Sequence, residues 1–228
     1  MLSQFFSSKK LALSITATGV VVSIQAKPAQ AYDFDFETFN PSNPGFQTDY
    51  IYDPSSLGQG DYAVGTNPQN FNRAFASIED RTPTGDGNMM VVDGSTTSDR
   101  NVWQQTIPVT PNTDYEFSAF AANVVNTSPA ELQFKINDNV VGSPLDLPLN
   151  NDWNELTTIW NSGSNTSVTL GIVDNNIEAI GNDFALDDIS SSVIPPTPVP
   201  FEASPTSGIF ILGGLVGISR LRKKLAVK

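Results

Sequence analysis

The 228-residue chain contains no cysteine and no histidine. Without cysteine it can form neither a disulfide framework nor a thiolate zinc site. Without histidine there is no Ser-His-Asp triad, no Cys-His pair and no His-based zinc motif. Positive charge is scarce in the middle of the chain. Of the 12 Lys and Arg, only Arg73, Arg81, Arg100 and Lys135 fall within residues 32–193, against 23 Asp and Glu, so that stretch carries 19 net negative charges. Such a surface repels nucleic acid and anionic lipid and attracts cations, which argues against nucleic-acid binding. Helical periodicity is also missing between residues 32 and 193, so a parallel βαβ architecture has no helices to build it.

The two ends differ in character from the middle. MLSQFFSSKK carries two lysines, LALSITATGVVVSIQA is apolar, and Ala29-Gln30-Ala31 supplies a small-x-small cleavage pattern. That order is the one a secretory signal peptide requires, so residues 1–31 are expected to be removed and the mature chain to begin at Tyr32.

Residues 32–193 consist of short β-branched and aromatic runs separated by Gly, Pro, Asn and Asp clusters. YEFSA at 115–119, LQFKI at 132–136 and VTLGI at 168–172 alternate apolar and polar side chains, as half-buried strands do. NMMVVD at 88–93 is apolar on both faces and suits a central strand. Residues 102–109, 153–160, 32–39 and 183–190 are further candidates. Eight to ten such strands predict an all-β, antiparallel β-sandwich or jelly roll. Residues 40–81, with Pro41, Pro44, Pro54 and Pro68, are expected to form ordered loops over one end of it.

Four stretches resemble a known family: DFDFETF at the start, GNMMVVDGS and VWQQTIPVTPNTDYEFSAFAAN in the middle, and GNDFALDDISS at the end. They resemble the galactose-binding-like jelly rolls, including the carbohydrate-binding modules of families four and nine. The resemblance implies two antiparallel sheets, a non-catalytic role, and a structural calcium where first and last strands meet. Charge chemistry points the same way. Glu37 lies in the first predicted strand and Asp187-Asp188 in the last, and adjacent carboxylates need a compensating cation or proton. Calcium accepts six to eight oxygens from carboxylates, amides and carbonyls, so Glu37 with one of Asp187 or Asp188 is the expected core of the site, with Asp183 and Asn182 near in sequence. The alternation of Phe34 and Phe36 with Asp33, Asp35 and Glu37 leaves a solvent-facing arrangement open as well.

Sugar contact needs accessible aromatics beside amides and acids. Tyr50, Tyr52 and Tyr62 in the long loop segment, Asp86 in the loop before residue 88, and Trp103 are the candidates, although large aromatics in strands usually fill cores. The 80–88 stretch lacks the ligand spacing of an EF-hand. A glycosidase would need a carboxylate pair on a catalytic scaffold, and nothing here resembles one.

After residue 193 come four prolines within residues 194–200, an extended linker. Residues 201–228 hold an apolar run of eleven residues, about 16 Å as a helix, against a hydrocarbon core of about 30 Å. Arg220, Arg222, Lys223 and Lys224 then form a basic stop. Val199, Pro200, Phe201, Glu202 and Pro205 followed by this run resemble the PEP-CTERM sorting signals in their PFE form, often met in cyanobacteria. The resemblance implies recognition by an exosortase-like processing enzyme, transient inner-membrane insertion through a short apolar helix, and export to a cell surface or matrix rich in extracellular polysaccharide. The sequence thus predicts an exported, non-catalytic, calcium-stabilised sandwich that contacts glycans. A purely structural matrix protein and a polysaccharide hydrolase are the alternatives.

Overall fold

A computed structural model describes residues 31–196. The expected signal peptide, the sorting motif from Val199 to Arg222 and its apolar helix lie outside the described residues. Eleven strands and one 3-10 turn, Pro68–Asn70, make up the described chain. One sheet runs β2 (Ile51–Tyr52), β3 (Asp61–Gly65), β4 (Met89–Asp93), β11 (Phe184–Val193), β6 (Asp114–Asn123) and β9 (Asn154–Asn161), with β1 (Tyr32–Phe34) also paired to β11. The other runs β5 (Asn101–Pro108), β10 (Ser167–Asp174), β7 (Glu131–Ile136) and β8 (Asn139–Asp146). From β4 onward the chain changes sheet at every connection but the β7–β8 hairpin, which gives an antiparallel β-sandwich of jelly-roll type. The two-residue pairing of β2 with β3 is parallel, the one departure from antiparallel order among the described residues.

Alternation explains the core. Phe117, Ala119 and Ala121 of β6, Leu132, Phe134 and Ile136 of β7, and Val168, Leu170 and Ile172 of β10 point between the sheets and are buried. Met90 and Val92 of β4 join them, while Met89 and Val91 on the opposite face pack with Phe75, Val124 and Ala185 beneath the 66–88 segment. That second cluster is why β4 is apolar on both faces. The sequence reading differs from the structure in four elements, one of them the two-residue strand Ile51–Tyr52 inside the expected loop. The first strand stops at Phe34 rather than residue 39. Asp61–Gly65 is a strand inside the expected loop, and Asn139–Asp146 is a strand whose mostly exposed side chains hide any alternation.

Candidate functional site

Strand β11 carries two different partners along one edge: β4 beside Phe184–Leu186, then β1 beside Ile189–Ser191. The seam between them coincides with a bulge in the pairing of β11 with β6, where Asp188 takes a left-handed φ of 48°. Two chain segments enter the seam. After β1 the chain buries Phe36 and then presents Glu37, and residues 80–88 arrive to begin β4. The Asn88 amide donates to Glu37 Oε1 at 3.0 Å, and the Thr82 amide and hydroxyl donate to Asp80 at 3.1 and 2.8 Å. Both carboxylates converge on Gly87: a Cβ there would lie 2.1 Å from Glu37 Oε1 and 2.2 Å from Asp80 Oδ2. Asp187 is buried in the strand behind them, with Oδ1 accepting the Asp188 amide at 2.8 Å.

The electrostatics of the seam follow from that crowding. Burial, then the charges of Asp188 and Asp80, push Asp187 up to about 7. Partial desolvation, then Asp80 and Asp35, raise Glu37. The seam therefore holds negative charge in need of a proton or cation. Of the four acids expected at a calcium site, Glu37 and Asp187 belong to it. Asp188 does not: its Oδ2 accepts Arg81 Nε at 2.8 Å, and the Arg81 guanidinium lies 3.3 Å from the centre of the Phe120 ring. Asp183 stands at the other end of β11. Asp80 was missed, because its place beside Glu37 comes from strand pairing 43 positions away rather than from local spacing. No three acidic side chains among the described residues close on one point as a ready metal cluster. Calcium there would have Glu37 and Asp80 as its carboxylate donors.

A second acidic group lies at the opposite end of the strand. Asp183 Oδ1 accepts the Gly94 amide at 3.0 Å, and its carboxyl meets that of Asp93. Burial raises both; the charge of Asp93 raises Asp183 further, while the hydrogen bond from Asp183 favours the ionised form of Asp93, so the pair is best satisfied by sharing one proton. Asn182 anchors the same corner through the Asn176 carbonyl at 2.8 Å. Burial also pushes Asp174 up to about 7, and its Oδ2 has no partner.

The aromatic candidates for sugar contact require correction. Tyr50, Tyr62 and Trp103 are 6%, 4% and 0% exposed and belong to the core: Tyr50 and Tyr62 come down with residues 40–62 onto the end of the sandwich, and Trp103 points inward from β5 against Tyr32 and Phe34 of β1. Tyr52 is half-buried against Phe39 and Tyr62. Asp86 is exposed and accepts the Thr84 hydroxyl.

One accessible concavity lies elsewhere, apart from a polar one beside Glu79, Asp152 and Trp153. Gln47 pairs with Gln104 as an extra rung on β5, with N···O distances of 2.9 and 2.8 Å and a side-chain contact at 3.2 Å. Beside this rung is a groove of about 320 Å3 lined by Asn43, Pro44, Gln47, Gln104, Gln105 and Thr106. Its polar groups are neutral amides and a hydroxyl, each able to donate and accept. Gln104 and Thr106 of the groove also belong to the outer face of the smaller sheet. There Gly171 sits between Gln104 and Lys135, and Thr106 and Thr169 share a hydrogen bond of 2.9 Å. None of these residues formed a motif in the sequence, since Gln47 and Gln104 meet only through tertiary pairing.

No protein-family model and no curated protein sequence matches the chain. Among solved structures it is similar to the CBM22-1 xylan-binding domain from Paenibacillus barcinonensis Xyn10C, at 15% identity over 75% of this chain and 99% of that one, with a TM-score of 0.48. It is also similar to the sugar-binding EclA C-terminal domain, at 12% identity over 82% and 100% of the two chains and a TM-score of 0.37. A cyclase from Fischerella sp. TAU is a third, at 14% identity over 77% and 94% and a TM-score of 0.47. None of these likenesses assigns an activity to this chain.

Proposed function

We infer that the chain is an exported, non-catalytic surface or matrix protein whose sandwich makes weak contacts with extracellular polysaccharide and is stabilised by calcium at the seam of β1, β4 and β11. The observation that carries the glycan reading is the groove at Gln47 and Gln104: an open cleft lined by paired amides offers donors and acceptors to sugar hydroxyls without a charged centre. Export and sorting rest on the signal-like start and the PEP-CTERM-like tail, with an exosortase-like enzyme as processing partner. Glu37, Asp80 and Asp187 would supply the calcium seam with its negative charge.

Calorimetric titration with soluble exopolysaccharide fractions tests the reading. Wild type should bind weakly and release no reducing sugar, and a Gln47→Ala/Gln104→Ala variant should lose at least fivefold in affinity with unchanged melting. Binding that survives this double change would move the site off the groove. The burial of Tyr50, Tyr62 and Trp103 favours a second reading, a structural matrix protein without a sugar site, because it removes the expected stacking platforms. No binding to any fraction would support that reading instead.

A further inference from the structure

Lys135 is an unusual residue on this face. It projects from β7 to the outer side of the smaller sheet, beside the buried Gly171, yet its side chain is only 7% exposed. Lysine is rarely buried to that degree without a firmly held partner. Its partner, Asp99, is 78% exposed, takes a left-handed φ of 61° and makes no other hydrogen bond among the described residues; the pair closes at 2.8 Å. A positioned ammonium is thus covered by a carboxylate that solvent can replace. The other basic residues of the described chain are placed elsewhere: Arg81 on Asp188 and Phe120, Arg100 on Tyr50 and Ser95, and Arg73 in the exposed segment beyond β3.

An unsatisfied group lies close by. The Asn101 side-chain amide is oriented by its Nδ2, which donates to Asp49 at 3.1 Å, and this turns Oδ1 toward the sheet. That Oδ1 is buried without a partner and lies 3.4 Å from where a Cβ on Gly171 would stand. An acceptor so placed calls for a donor such as a hydroxyl. Gly171 pairs with Gln104 on one side and Lys135 on the other, so the ammonium's strand and the groove's strand are two spacings apart, roughly 10 Å. Two or three sugar units span that distance.

We propose that Lys135, Asp99 and Asn101 select uronic acid residues: the carboxylate of a uronate takes the place of Asp99 on the Lys135 ammonium, and a neighbouring ring hydroxyl donates to Asn101 Oδ1. The proposal rests on the glycan reading of the groove. The 19 net negative charges of residues 32–193 oppose a polyanion at long range, and at 0.15 M salt screening confines that repulsion to about 8 Å. The favoured ligand is therefore a largely neutral chain bearing an isolated uronate, not a continuous polyuronate.

The test uses three pairs of trisaccharides built from glucose, galactose or mannose, each pair differing only in whether the terminal sugar is neutral or a uronic acid. They are titrated calorimetrically in 0.15 M salt without divalent ions. In at least one pair the uronate form should bind the wild type fivefold or more tightly than its neutral counterpart. Asp99→Asn should strengthen uronate binding about threefold, and Lys135→Gln should erase the preference while leaving neutral binding within twofold. Equal affinity within every pair that binds overturns uronate selection and leaves the glycan reading standing. No binding by any trisaccharide overturns both. Should Lys135→Gln fail to fold, Asp99→Asn decides: unchanged uronate affinity in that variant sinks the proposal.

Discussion

Single side chains at the β1–β4–β11 seam decide whether the sandwich responds to calcium. Glu37 and Asp80 converge on Gly87, and no basic residue among the described residues pairs with them, since Arg81 turns its guanidinium to Asp188 and Phe120. A ligand that binds the folded state alone stabilises it by about 2.7 kcal/mol at a hundredfold excess over its Kd. For a domain of this size each kcal/mol raises Tm by roughly 2–4 °C. Calcium should therefore raise the melting temperature by about 5–10 °C in scanning calorimetry, and Glu37→Gln/Asp80→Asn should abolish the rise. An unchanged Tm on chelation removes calcium from the account. Gly87→Ala sharpens the same point: its Cβ would collide with both carboxylate oxygens, so about 1–3 kcal/mol of stability should be lost by denaturant titration.

At the scale of elements, the β7–β8 hairpin shows how local chemistry sets long-range register. Asn137 and Asp138 both adopt positive φ, 49° and 65°, as a type I′ turn requires. Asn137 also ties the hairpin to β10, its amide donating to the Thr169 carbonyl at 2.9 Å and its Oδ1 accepting the Thr169 amide at 3.0 Å. Asp138→Gly relieves one left-handed residue without cost to these bonds and should stabilise the fold by about 0.5–1 kcal/mol. Asn137→Ala loses the Thr169 bond and the favourable turn residue together and should cost about 1–2 kcal/mol. Equilibrium urea unfolding measures both. The turn residues and the alternation of β6, β7 and β10 were readable because side-chain direction along a strand repeats every two residues. Strand β8 was not, because it is an edge strand with little apolar patterning, and β3 was masked by the turn residues around it.

At the scale of the whole molecule, buried acid links stability to pH. Asp174 and Asp187 titrate near 7, and the Asp93–Asp183 pair is raised as well, each chiefly through burial. Their folded values lie above the unfolded value of about 3.9. The stability they contribute is fully present below that unfolded value and is lost as pH rises through about 7. In calcium-free buffer Tm should therefore fall steadily from pH 4.5 to pH 8. Asp174→Asn, which removes a buried charge whose Oδ2 has no partner, should flatten that slope. A Tm that rises over this range would contradict the placement of these acids.

The sequence alone determined the class of fold and much of the chemistry that is impossible here. Period-two alternation and turn residues act between neighbours, so they specify strands before any tertiary contact forms, and the absence of cysteine and histidine excludes chemistries however the chain folds. Glu37 with one of Asp187 or Asp188 was legible as acid on strands expected to lie side by side, but which of the two stands at the seam and which pairs with Arg81 was not. Tertiary structure alone decided which groups share a surface. Tyr50 became core because its loop folded onto the sandwich, Trp103 because β1 packed against it, Asp80 joined Glu37 across the seam, and Gln47 met Gln104 from 57 positions away in sequence. A polar site needs no local pattern, only convergence, and convergence is set by how the sheets pair and which edges the loops cover.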